Sequence, residues 1–167
     1  SRNIKLMPYH EQLKSKGACF GQSAAYERPM WYSLNGKDAN YVYSYDYQNW
    51  YDSAKYETIN TRKNVALFEL SPFAKFELSG DKTHSNLQYL CANDIKNKTG
   101  SITYTQMLNS KGGIEADLTV TCIEKNTFRI VTGSSVREHD KKHILKYLDD
   151  SVNFRDITDD FACLGIF

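Results

Sequence analysis

The sequence predicts an α+β fold, a mostly antiparallel sheet with helices packed on one face. Three observations carry that expectation. Residues 101–122 read as two alternating strands around a glycine turn. Residues 81–91 and 135–148 space their apolar side chains as helices do. From residue 65 onward the elements run β-β-α-β-β-β-α-β-β, which mixes hairpins with two helical crossings.

Residues 1–30 show little periodicity. A short helix is expected over 9–16, closed by Gly17, and 26–29 reads as extended or turning because Pro29 disfavours helix at Arg28. Eight of the 12 tyrosines then lie between Tyr26 and Tyr56, together with Trp31 and Trp50. Tyr41, Tyr43, Tyr45 and Tyr47 alternate with other residues, which predicts four rings on one strand face. Such rings form either a stacking platform for sugars or bases or an aromatic wrap over the core. The absence of a basic groove around them favours the wrap.

Residues 49–63 predict a weakly patterned helix, followed by strands over 65–70 and 73–78, broken at Ser71-Pro72. Gly80 ends the second strand, and Asp81 is the expected N-cap of a helix to about Cys91 with Leu87 and Leu90 inward. The hairpin comes next. Its first arm is rich in β-branched and aromatic residues, and Gly112-Gly113 supply the positive φ of a tight connection. In the second arm Ile114, Ala116, Leu118, Val120 and Cys122 take one face, and Glu115, Asp117, Thr119 and Thr121 the other. Tyr104 and Asp117 thereby lie on facing arms.

Residues 124–126 predict a turn and 127–132 a strand. Ser135 and Glu138 fit a capping box opening a helix to about Leu148, with Val136, Ile144, Leu145 and Leu148 toward the core. Final strands are expected over 152–157 and 161–167. The last ends in mid-run, without a turn or polar tail, which predicts a fragment of a longer protein.

With 167 residues, 41% hydrophobic and 25% charged, the chain has the make-up of a globular domain with a real core. A net charge of +1 gives no electrostatic reason to expect nucleic acid or an anionic membrane surface, and no apolar run approaches membrane-spanning length. Cys19, Cys91, Cys122 and Cys163 are scattered and form no CxxC pair, so they read as reduced, mostly buried thiols in a reducing compartment. His139 and His143 are one helical turn apart, but Asp140 replaces the Glu of the zincin pattern and the neighbours are charged, so a solvated helix face is expected. Gly112-Gly113 lacks the spacing of a phosphate loop, and no G-x-S-x-G elbow is present. By residue type alone, Asp117 reads as a solvated carboxylate or a ligand in a cleft, and Tyr104 as a cross-strand aromatic or a pocket wall.

One resemblance goes further. VALFELS at 65–71, FAKF at 73–76, LSG at 78–80, Leu87, Leu90 and Asn93-Asp94, YTQMLN at 104–109, GGI at 112–114 and Asp117-Leu118 follow one another as in the aminomethyltransferase family, the glycine-cleavage T-protein fold that binds tetrahydrofolate. Residues 17–21 (GACFG) and 26–31 (YERPMW) are similar to the start of the C-terminal folate region of dimethylglycine and sarcosine dehydrogenases. The resemblance implies a lead-in segment over 1–60 and the first part of the folate domain over 61–167, with a Gly-Pro and further domains beyond Phe167. It implies tetrahydrofolate as cofactor, with FAD confined to an upstream half. Asp117 is then the catalytic residue, and Tyr104, Asp117 and Phe73 line the folate pocket, a central channel in that family. Phe73 stands where T-proteins often carry Met, and Ala116 replaces the first of their two acidic residues.

The implied activity is the trapping of a methylene group, released by oxidative N-demethylation, as methylene-tetrahydrofolate. The partners expected are folate, an amine-derived one-carbon unit and the other domains of the parent chain, with neither nucleic acid nor membrane. The parent is expected in a bacterial cytoplasm or mitochondrial matrix, and the fragment alone to be inactive. A plain aminomethyltransferase, a folate-dependent demethylase and a non-catalytic regulatory relative are the alternatives.

Overall fold

The computed structural model describes residues 2–34 and 39–167. In chain order its elements begin with α1 (His10–Ser15), β1 (Ala18–Ser23), β2 (Tyr26–Tyr32), α2 (Tyr51–Lys63) and β3 (Leu67–Glu69). Then come β4 (Ala74–Ser79), α3 (Thr83–Leu90), β5 (Ile102–Leu108), β6 (Ile114–Glu124) and β7 (Thr127–Thr132). A 3-10 turn (Ser134–Val136) leads into α4 (Arg137–Tyr147), followed by β8 (Asn153–Asp156), a second 3-10 turn (Thr158–Asp160) and β9 (Leu164–Ile166). All strand pairings in the three sheets are antiparallel, as the α+β reading expects. The chain divides into two compact units, Ser1–Ser71 with Ala162–Phe167, and Pro72–Phe161.

In the first unit, α1 stops at Gly17, whose φ of +83° only glycine adopts cheaply. β1 and β2 form a hairpin that the sequence pattern did not announce. Its turn is Ala24-Ala25, both at positive φ (49° and 68°), so the Asn-Gly signature of such turns is missing. Pro29 is accommodated because the register shifts beside it: Cys19 faces Trp31 while Phe20 faces Pro29, leaving Met30 as the extra residue of a bulge. Glu27 is buried on this hairpin, bonded to Arg2 at 2.7 Å and to the Asn3 amide at 2.7 Å. The Arg2 contact brings its carboxyl down to about 2. β3 is shorter than predicted and pairs with β9.

The alternating tyrosines do not form a strand. Residues 39–50 are irregular, and Tyr43, Tyr45 and Tyr47 are exposed instead of wrapping a core. Tyr41 and Tyr43 stack at 5.7 Å, and Tyr47 donates to Asp52 at 2.7 Å. These local contacts replace a ladder.

The second unit is a five-stranded sheet in the order β5-β6-β7-β4-β8. Its core face carries Met107, Ala116, Leu118, Val120, Cys122, Phe128, Ile130, Ala74, Phe76 and Leu78. Leu87 and Leu90 of α3 and Ile144 of α4 join the same cluster, so both helices cover one face. Two predicted caps fail. Lys82, not Asp81, precedes α3, while Thr83 Oγ1 donates back to the Gly80 carbonyl at 2.7 Å and Asp81 accepts from Asn126. Ser135 lies inside a 3-10 turn and α4 starts without a side-chain cap, so the capping box does not form. Val136, which lies in that 3-10 turn, and Leu145, both expected inward, are exposed.

Candidate functional site

The β5–β6 hairpin fixes the candidate site through register. Gln106 pairs with Asp117 and Tyr104 with Thr119, and Thr119 in turn faces Val131 of β7, which faces Lys75 of β4. Ala116 and Leu118 are buried toward the helices, so the period of two turns Asp117 to the opposite, open face. The hairpin loop is braced by Asn109, whose Oδ1 accepts the amides of Lys111 at 2.9 Å and Gly113 at 3.0 Å. Gly112 supplies the positive φ there (+78°).

Tyr104 and Asp117 therefore come together, with Gln106 between them. Gln106 Nε2 donates to Asp117 Oδ1 at 3.1 Å. The hydroxyl of Tyr104 interacts with the same carboxylate, which raises the phenol's pKa above its ordinary value. Tyr104 is 59% exposed and Asp117 is exposed, so the pair stands on an open surface of this chain instead of in an enclosed channel. Two cavities, of about 670 and 560 Å³, lie in the first unit, and neither is lined by Tyr104, Asp117 or Phe73. Phe73 sits in the turn before β4, partly exposed, with its carbonyl accepting from Lys75 Nζ at 2.9 Å.

A second polar cluster was not foreseen. The β5–β6 pairing shifts at Met107/Leu108, and Glu115 is the extra residue of that bulge. The bulge re-aims its side chain toward α4 and leaves Ile114 exposed, against the simple alternation. Glu115 accepts from Asn109 at 2.9 Å and lies 3.3 Å from His139 Nε2. His139 Nδ1 is 3.0 Å from Asp140, a buried carboxylate that also accepts from the buried Thr132 hydroxyl. The Asp140 contact raises the His139 pKa, and the Asn109 bond lowers that of Glu115. His139 is thus an ion-pairing residue at the hairpin end, not merely a solvated one. Among the described residues, no group of three or more His, Cys, Asp or Glu side chains is placed to hold a metal ion. The four cysteines are free, three of them buried, and burial pushes the Cys91 thiol up to about 12.

The model of the GCVT N-terminal domain matches residues 9–167. The chain belongs to that family. It is 39% identical over 137 residues to 4-methylaminobutanoate oxidase (formaldehyde-forming) of Paenarthrobacter nicotinovorans, covering 82% of this chain and 17% of the relative. It is 32% identical over 161 residues to the mitochondrial dimethylglycine dehydrogenase of Rattus norvegicus, covering 92% and 18%. The chain thus spans less than a fifth of the length of these relatives. Among solved structures, the glycine cleavage system aminomethyltransferase T of Bartonella henselae superposes with a TM-score of 0.75 at 22% identity, covering 98% of this chain and 40% of that one. The fold is that of the aminomethyltransferase T-protein, as the motif order implied. No helix among the described residues is long and apolar enough to cross a membrane.

Within a GCVT N-terminal domain, the open face offers a carboxylate, an amide and a phenol on adjacent positions of two strands. Such a set can accept a proton, orient a hydrogen-bonding ring edge and stabilise a positive charge developing beside it. Gln106, Glu115 and His139 were missed because their roles depend on pairing register and a bulge.

Proposed function

We propose that the face around Asp117 is the folate-contacting surface of a one-carbon transfer domain. In the longer protein it traps, as methylene-tetrahydrofolate, the carbon released by oxidative N-demethylation of an N-methyl amine such as dimethylglycine or sarcosine. The observation that carries this reading is the convergence of Gln106 and Tyr104 on the single carboxylate of Asp117, in a chain whose relatives include a dimethylglycine dehydrogenase.

The residues fit a folate. Asp117 presents an ionisable acceptor, Tyr104 adds a ring and a hydroxyl beside it, and Phe73, exposed in the turn before β4, offers a second ring. Tetrahydrofolate, when bound, supplies the amine nitrogen that captures the methylene carbon. Asp117 accepts the proton given up as that nitrogen is alkylated, and its negative charge favours the cationic partner. Gln106 keeps the carboxylate oriented, so that proximity and not diffusion governs the capture. Oxidation of the amine belongs to a flavin-bearing part of the longer protein. The four free thiols support a reducing compartment, a bacterial cytoplasm or a mitochondrial matrix.

Titrating the longer protein with tetrahydrofolate in a calorimeter tests the reading. Saturable binding that weakens in Asp117→Asn is expected. An absence of binding in the unaltered protein would reduce the family membership to an inherited fold.

A further inference from the structure

We propose that His139 is a positioning residue, which ties the far end of the β5–β6 hairpin to α4 only while both of its ring nitrogens carry protons. That hairpin holds Asp117 and Tyr104, so the tie reaches the candidate site through Glu115. The tie itself does not depend on folate binding, while its effect on affinity rests on the one-carbon reading above.

The pairing leaves this end of the hairpin in need of support. Among the described residues, β6 pairs with β7 only from Thr119 onward, so the stretch from Ile114 to Leu118 pairs with β5 alone. A two-stranded ribbon holds itself weakly. Met107, Ala116 and Leu118 anchor its base in the core, but Leu108 and Ile114 at the far end are exposed. The Glu115 side chain is what links that end to α4. Its Oε1 accepts from Asn109, which collects the Lys111 and Gly113 amides, and its Oε2 stands 3.3 Å from His139 Nε2.

His139 Nδ1 faces Asp140 Oδ1 at 3.0 Å, so both ring nitrogens meet carboxylate oxygens. A neutral imidazole has one N–H and answers only one of them, whereas an imidazolium answers both. Asp140 is buried beside the Thr132 hydroxyl, while Glu115 reaches solvent. Leaving a buried acceptor unmet costs more than releasing one to water. The single proton of neutral His139 therefore stays on Nδ1, and the contact that opens is the one to the hairpin. His143, one turn along α4, also acts on Glu115, whereas Arg137 and Lys141 turn to Asp156 of β8 and α3 meets α4 through Tyr89 and Tyr147. Asp140 and then Glu115 raise the His139 pKa, and Asn109 and then His139 lower that of Glu115. The tie is whole between the two values and opens as pH rises through the first or falls through the second.

NMR on the 167-residue chain, following the His139 ring nitrogens and the Gly113 α-carbon through a pH titration, tests the tie. The expected result is a neutral ring protonated on Nδ1, with a Gly113 shift that shares the His139 midpoint and vanishes in His139→Gln. Glu115→Ala should leave His139 titrating and disconnect Gly113 from it, which keeps the test open should His139→Gln not fold. A neutral ring protonated on Nε2 overturns the proposal, as does a Gly113 shift that ignores His139 or persists in Glu115→Ala. In the longer protein, tetrahydrofolate affinity should fall about twofold to fivefold from about pH 6 to about pH 9 and stay level in His139→Gln. A fall that the variant shares, or none in the unaltered protein, overturns the positioning role. Should the longer protein bind no tetrahydrofolate at all, the folate reading fails and the NMR titration alone decides the tie.

Discussion

Gln106 donates its side-chain amide to the Asp117 carboxylate at 3.1 Å, directly across the β5–β6 ladder. The two are register partners, so the backbone pairing itself decides which side chain steadies the carboxylate. Both stand on the face that α3 and α4 leave uncovered. The relationship gives Gln106 a positioning role that its residue type alone does not reveal.

Gln106→Ala should therefore weaken tetrahydrofolate binding by roughly threefold to tenfold, the worth of one hydrogen bond to a charged or polar partner. The denaturation midpoint should stay where it was, because Gln106 lies outside the core cluster. Titration calorimetry and a denaturant melt check the two halves. An unchanged affinity would remove Gln106 from the site.

Tyr104 should ionise at a higher pH than an ordinary tyrosine, since the Asp117 carboxylate holds its hydroxyl proton. Asp117→Asn removes that charge and should bring the phenol back down. An NMR pH titration of the Tyr104 ring follows both. Identical titration in the two proteins would mean the side chains do not meet.

His139 predicts a pH dependence of stability. Its pKa is raised in the folded chain by Asp140 and then by Glu115, while that of Glu115 is lowered by Asn109 and by His139. The His139 contribution is full below the ordinary histidine value of about 6.5 and fades as pH rises through the higher folded value. The Glu115 contribution is full above about 4.5 and fades as pH falls through its lowered value. Denaturant midpoints measured across this range should decline on the alkaline side, and His139→Gln should flatten that decline. A decline that persists in the variant would assign it to another group.

Gly80 is a backbone requirement. Its φ is +129°, and a Cβ there would stand 2.7 Å from the Ser151 carbonyl oxygen. Gly80→Ala should cost about 1–3 kcal/mol through conformational strain, and more through the collision with backbone that cannot swing away. A thermal or denaturant melt measures it. A neutral substitution would show that the β4–α3 turn relaxes.

The central hairpin was legible because three local signals agree: period-two alternation, adjacent glycines and β-branched residues. α3 was legible through Leu87 and Leu90, both buried. The β1–β2 hairpin was not, since its turn uses Ala24-Ala25 at positive φ and its second strand carries Pro29 at a bulge. The tyrosine run misled in the opposite direction. Its alternation mimics a strand, yet among the described residues no partner strand receives it, and the rings stack on one another or bond locally. At the site, Asp117 and Tyr104 followed from alternation and motif order. Glu115 and His139 depend on a one-residue bulge, and a bulge leaves little trace in a sequence.

The most direct test of the one-carbon reading is a product partition in the longer protein, Asp117→Asn against the unaltered chain. Amine oxidation should proceed at the same rate in both, while the variant releases free formaldehyde in place of methylene-tetrahydrofolate. A methylene-tetrahydrofolate yield equal to that of the unaltered protein would contradict the role assigned to Asp117.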